Sequence, residues 1–134
     1  MNSRKLSLTL AAILLWTVSV SARDDGGPKY KASPDIVATL PQFCWWWYVD
    51  NTPLDPRFQS CGGFYNHYCP GLVLMKEAEK EKHPGAAYNI LKQAVDNMNY
   101  TLKWTAPECF LRSRAPMDIE RIKFQMDLLK WKAR

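Results

Sequence analysis

Apolar positions change their period several times along this 134-residue chain, and each change predicts an element. Residues 6–20 form an apolar run, from Leu6 to Val20, behind Arg4 and Lys5. The run is shorter than the roughly 20 apolar residues a helix needs to span a bilayer. Val20-Ser21-Ala22 places small residues at −3 and −1 of a cleavage point. The pattern predicts a secretory signal peptide over residues 1–22 and a mature chain that starts at Arg23. From residue 70 onward the apolar positions recur with helical period. Leu72, Met75 and Ala78 predict a first helix over residues 70–82, with Pro70 in its first turn, where a missing N–H costs nothing. His83-Pro84-Gly85 stops it. Ala87, Leu91, Ala94, Met98, Thr101, Leu102 and Thr105 then share one stripe of a second helix that ends at Ala106-Pro107. A third helix opens at Pro116-Met117-Asp118 and runs to Trp131. Asp118 and Glu120 lie at its positive end, and Lys130, Lys132 and Arg134 at its negative end. Its stripe of Ile119, Ile122, Met126 and Leu129 is joined by a second one of Phe124, Leu128 and Trp131, which predicts neighbours on two sides. No stretch alternates with the period of a strand. The reading is all-α, a three-helix antiparallel hairpin plus helix.

The part before the helices reads differently. Residues 23–33 are polar, with Asp24-Asp25-Gly26-Gly27-Pro28, and predict a flexible leader to a single helical domain over residues 34–134. Ile36, Val37, Leu40 and Phe43 add apolar residues, and Leu40-Pro41-Gln42-Phe43-Cys44 reads as an extended lead-in. Trp45, Trp46, Trp47 and Tyr48 follow in sequence, too many large rings for one side of a regular element. Because consecutive side chains diverge, at least one of the four is expected to stay exposed. Asp50-Asn51-Thr52-Pro53, Asp55-Pro56 and Gly62-Gly63 make residues 50–63 a loop. Together these residues predict an irregular, aromatic-rich N-terminal cap.

Charge and cysteines narrow the function classes. Removing 22 of 134 residues leaves 112, the size of one domain, with 16 basic against 13 acidic residues and a net charge of +3. That balance is too mild for nucleic acid, and the bases are interleaved with acids over residues 76–82, as on a solvated helix face. Cys44, Cys61, Cys69 and Cys109 all lie after the predicted cut, in a compartment where disulfides persist. There is no C-x-x-C and no C-x-x-C-H, and the spacing of Cys61, His67 and Cys69 fits no zinc pattern. No metal, haem or other cofactor is expected. Four cysteines allow three pairings. Cys69 and Cys109 both fall at the open end of the predicted hairpin, which favours Cys69–Cys109 with Cys44–Cys61 across the aromatic loop. Cys61–Cys69 with Cys44–Cys109 is the competing arrangement, since Gly62-Gly63 would permit a small ring.

The segment from Ala94 to Pro107 carries the clearest motif. Ala94, Met98 and Thr101 follow one another as small, large and small residues before the closing Pro107. This resembles the second helix of a tetratricopeptide-type repeat. The whole chain resembles small exported bacterial proteins of tetratricopeptide-like, helical-hairpin type. The shared features are a signal peptide, Leu40-Pro41-Gln42-Phe43-Cys44, and His67-Tyr68-Cys69 entering the first helix. The likeness covers residues 65–134, about one and a half repeats, and lacks the Trp, Leu-Gly and Tyr spacing of a regular first helix. A plain three-helix bundle gives the same three helices.

No reaction can be read from the chain. His83 sits in a turn, and His67, two residues before Cys69, has no Ser or Asp constellation beside it in sequence; a structural hydrogen bond is its expected role. Asn99-Tyr100-Thr101 fits a glycosylation sequon, but Thr101 lies on the apolar stripe, which argues against a glycan there. The expected function is that of a non-catalytic interaction module, periplasmic or secreted, whose helical hairpin surface holds a protein or peptide, because helical repeats of this type recognise extended partners and carry no chemistry of their own. No membrane span is expected once the leader is removed. The alternative is an aromatic platform for carbohydrate or lipid built from Trp45, Trp46, Trp47 and Tyr48.

Overall fold

The structure is a computed structural model that describes residues 30–132. The signal peptide expected over residues 1–22, the expected cut before Arg23 and most of the expected leader therefore lie outside the described residues. Four α-helices follow one another: α1 (Pro34–Thr39), α2 (Tyr68–Lys80), α3 (Pro84–Trp104) and α4 (Leu111–Lys132). Three 3-10 turns, Gln42–Trp47, Pro56–Cys61 and Tyr65–His67, shape the cap, and no strand occurs among the described residues.

Helix α3 is the spine, packed against α2 on one flank and α4 on the other. Short connections after α2 and α3 make each consecutive pair antiparallel. The stripe read from the sequence is the buried one apart from Leu102, which is half-buried: Ala87, Leu91, Ala94, Met98 and Thr101 are buried, as is Thr105 just past the helix. Pro84 takes the first position of α3, and the Glu81 carboxylate accepts from His83 N–H at 2.8 Å. At the other end, Arg112 caps α3, donating to the carbonyls of Leu102 at 2.6 Å and Thr105 at 3.0 Å. Helix α2 meets α3 at Gly71. A Cβ there would lie 3.2 Å from Met98 Cγ and 3.3 Å from the Ala94 carbonyl, tighter than ordinary contact, so glycine lets the helices approach without displacing either group.

Several segments differ from the sequence reading. Residues 34–39, for which no element was expected, form α1: Pro34 starts the turn, and Ile36, Val37 and Leu40 bury one side of it. The lead-in expected to be extended over residues 40–44 instead enters the 3-10 turn Gln42–Trp47. The exposed Asp35–Lys80 ion pair then ties α1 to the end of α2. The hydrogen bond from Lys80, supported by Ser33, pulls the Asp35 carboxyl down to about 2. Helix α4 begins at Leu111, five residues before the predicted Pro116, which sits inside the helix. One backbone bond is lost at Pro116, but Leu111 and Ala115 are completely buried and Arg112 is fixed by its capping bonds, so the extra turn is held from outside. Residues 50–63, read as loop, contain the 3-10 turn Pro56–Cys61, with Asp55 accepting from Arg57 N–H at its start.

The four cysteines form Cys44–Cys69 and Cys61–Cys109, a pairing that overturns both arrangements expected from the sequence. The error lies in treating the open end of the hairpin as a single place. Two residues on a helix are about 200° apart, so Cys69 points away from the face on which Gly71 meets α3, and it finds Cys44 in the cap. Cys61 instead lies beside the α3–α4 connection, where its carbonyl accepts from Ala106 N–H at 3.0 Å.

Candidate functional site

Between Cys61 and α2 the backbone takes an unusual course. Gly62 has φ 70°, and Phe64, two residues on, has φ 65° and ψ 8°. The left-handed region costs glycine nothing, whereas it costs a residue with a side chain about 1–2 kcal/mol. Despite that cost the Phe64 ring is not used to fill the core; it is 50% exposed. It rests instead on two other exposed rings, Tyr100 at 6.0 Å between centroids and Trp104 at 5.8 Å. Tyr100 and Trp104 are one turn apart on α3 and off its buried stripe, so the helix presents both to the same side.

The base of this ridge is held by polar contacts. Asn97 donates its amide to the Gln93 carbonyl at 2.9 Å, which leaves Asn97 Oδ1 as the acceptor for His67 Nδ1, also at 2.9 Å. The imidazole therefore carries its hydrogen on Nδ1. Its ring lies 4.1 Å from that of Tyr100. Lys103 Nζ stands 4.8 Å over the Trp104 ring, a cation at the rim of an apolar surface. Phe64 also lines an open groove of about 330 Å³ between Tyr30, Trp46 and Trp47 and the 62–66 segment. Its floor is Gly62-Gly63, and a Cβ at Gly63 would have nothing within 4 Å. A partner backbone can approach closely there.

The four aromatics singled out in the sequence are distributed otherwise than expected. Trp47 is buried, edge-on to Phe58 at 5.1 Å and to Trp46 at 4.9 Å. Trp45 is half-buried and donates its indole N–H to the Leu40 carbonyl at 3.3 Å. Tyr48 is half-buried beside Tyr30, and burial raises its phenol above the ordinary tyrosine range. Trp46 is half-buried and, with Trp47, lines the groove. None of the four is left exposed. The 3-10 turn sends successive side chains in three directions, but α1, the segment around Tyr30 and the 56–67 region cover every one. A platform of four rings is not formed.

A second cavity of about 220 Å³ lies between α2 and α4. At its base the buried Tyr68 hydroxyl donates to Asp118 Oδ2 at 2.5 Å. Burial, then the hydrogen bond to Asp118, raises the Tyr68 phenol far above its ordinary range, so it stays protonated and the contact is structural. Thr101 of the sequon is inaccessible, its hydroxyl donating to the Asn97 carbonyl at 3.2 Å. Among the described residues no group of three or more His, Cys, Asp or Glu side chains could hold a metal ion, and no helix is long and apolar enough to cross a membrane.

In comparisons with known proteins, no family profile, no curated protein and no solved structure matches the chain. The site must be read from its own chemistry. It offers rings, a glycine floor and one cation at the rim, an arrangement that can bury apolar side chains and hold a backbone. Sequence reasoning counts Phe64 only among the aromatics of the N-terminal half, with Tyr65 and Tyr68, and misses Tyr100 and Trp104. A signal was present in the last two, large aromatics four residues apart on the polar side of a well-marked apolar stripe.

Proposed function

We propose that this chain is an exported, non-catalytic interaction module of tetratricopeptide-like hairpin character, and that the ridge of Phe64, Tyr100 and Trp104 with its adjoining groove holds an extended segment of another protein. The observation that carries the reading is Phe64 itself: a large apolar side chain, half exposed, on a left-handed backbone. Backbone strain and solvent-exposed apolar area both oppose folding, and residues that keep such costs cluster at binding sites. Export is supported by the two disulfides, which persist in oxidising compartments, and by the leader-like pattern of residues 1–22.

The proposal is tested by selecting a displayed random-peptide library against the protein, with counter-selection against the Phe64→Ser, Trp104→Ser double variant. The expected result is enrichment of peptides with apolar or aromatic anchors that bind the native protein, fail on the variant, and perturb the backbone NMR signals of Phe64, Tyr100 and Trp104. Enrichment that is equal on the two proteins, or perturbations confined to another face, would overturn it. A glycan array that gives ligands where the peptide library gives none would replace it with the carbohydrate alternative.

A further inference from the structure

Helix α4 has an outer face that the fold leaves uncovered. Met117, Phe124, Leu128 and Trp131 are 71%, 65%, 43% and 74% exposed. They lie along one side of the helix, and the first and last are separated by fourteen residues, about 21 Å. Of the second apolar stripe read from the sequence, Phe124 and Trp131 are mostly uncovered among the described residues, and Leu128 borders a cavity with Ala78 and Leu91. Taken at about 200 Å² for each large side chain, the exposed area is about 500 Å², at the upper range of the largest patches that monomers tolerate.

We infer that this face is covered by the same face of a second copy, in an antiparallel pair of α4 helices about a two-fold axis at Phe124. The arrangement of residues about Phe124 is self-complementary. Met117 and Trp131 are each seven residues from it, so the axis places the thioether of one copy on the indole of the other, a favourable contact. Arg121 and Asp127 are each three residues from it, so the Arg121–Asp127 pair forms twice across the axis, in place of the within-helix contacts Arg121–Asp118 at 3.8 Å and Asp127–Lys130 at 3.3 Å. Phe124 meets Phe124. Glu120 falls opposite Leu128, with its carboxylate held aside by Lys123 at 2.8 Å. Two such faces bury about 1,000 Å² together, the threshold for a specific interface, so the dimer is a weak one. A membrane surface fits less well, since Glu120 and Asp127 border the stripe and would face anionic headgroups. The polar residues 23–29 supply no apolar cover of their own.

The test is sedimentation velocity on the protein expressed with its leader and purified from the exported fraction. The wild type should shift from monomer to dimer mass between micromolar and near-millimolar concentration. Phe124→Glu, at an exposed position, should keep the helical circular dichroism and remain monomeric throughout. Arg121→Asp and Asp127→Arg should each weaken the dimer at least tenfold, and the two together should restore it, which only this register explains. A wild type that stays monomeric, a dimer indifferent to Phe124→Glu, or singles that the double exchange does not rescue would each overturn the inference. So would binding to anionic vesicles that Phe124→Glu abolishes while no dimer forms.

Discussion

Replacing Tyr68 by Phe removes one oxygen from the interior and should cost a large part of the domain's stability. Tyr68 is buried, and its hydroxyl donates to Asp118 at 2.5 Å, joining the start of α2 to the first half of α4. A hydrogen bond to a charged acceptor is worth about 1.5–3 kcal/mol. The variant leaves Asp118 with only Arg121, at 3.8 Å and mostly in solvent, and with partial access to water. The expected loss is about 2 kcal/mol, or about 10 °C in Tm for a domain of this size. Urea titrations of the wild type, Tyr68→Phe, Asp118→Asn and the double variant measure it, and the cycle should return a coupling of about 1–2 kcal/mol. The effect has a pH signature. Burial and Asp118 raise the Tyr68 phenol above its ordinary value of 10.0, so the phenol's contribution is complete below pH 10. Above that pH the unfolded chain ionises first and the folded state loses ground. The gap between wild type and Tyr68→Phe should therefore be constant from pH 7 to about 9.5 and shrink above pH 10. A loss under about 0.5 kcal/mol, or a gap that does not narrow in alkali, would refute the reasoning.

Other expectations follow from the packing. Non-reducing peptide mapping should recover Cys44 linked to Cys69 and Cys61 linked to Cys109. The bridges close spans of 25 and 48 residues. They interleave, yet neither shortens the other's path, so removing the pairs as Cys→Ala doubles should cost up to about 3.5 and 4 kcal/mol respectively on the chain-entropy relation. Gly71→Val should lower stability by about 1–3 kcal/mol through overpacking against Met98 and Ala94, read as a lower urea midpoint. Gly85→Ala in the first turn of α3, where a Cβ meets nothing within 4 Å, should raise it by up to about 1 kcal/mol. Mass analysis of the exported protein should find Arg23 at its N-terminus, and retained residues 1–22 in a membrane fraction would contradict that reading.

What was legible in the sequence is the periodic part. Leu72, Met75 and Ala78 on α2, Ala87, Leu91, Ala94, Met98 and Thr101 on α3, and Ile119 and Ile122 on α4 are buried as their spacing requires, while Leu102, Met126 and Leu129 of the same stripes are half-buried. Where structure rests on contacts distant in sequence, the reading fails. Pro116 looks like a helix start because a single residue's preference is visible, whereas the capping of α3 by Arg112 and the burial of Leu111 are not. The cysteine pairing depends on which way Cys69 faces on a helix that begins two residues earlier than Pro70 suggests. The aromatic quartet misleads for a related reason. Composition marks Trp45 to Tyr48 as unusual but does not reveal that Trp47 packs on Phe58, nor that the exposed Phe64 ring meets Tyr100 and Trp104, which are distant from it in sequence.

The most direct test of the central claim, that Phe64 is kept on a strained backbone for binding, is to measure the stability and the peptide affinity of Phe64→Asn together. Asparagine tolerates the left-handed region, so relief of about 1–2 kcal/mol should largely offset the contact area lost from a half-exposed ring. The account predicts a stability within about 1 kcal/mol of wild type and an affinity for selected peptides lowered at least tenfold. A stability loss of about 3 kcal/mol or more, with peptide binding retained, would make Phe64 a core residue and contradict it.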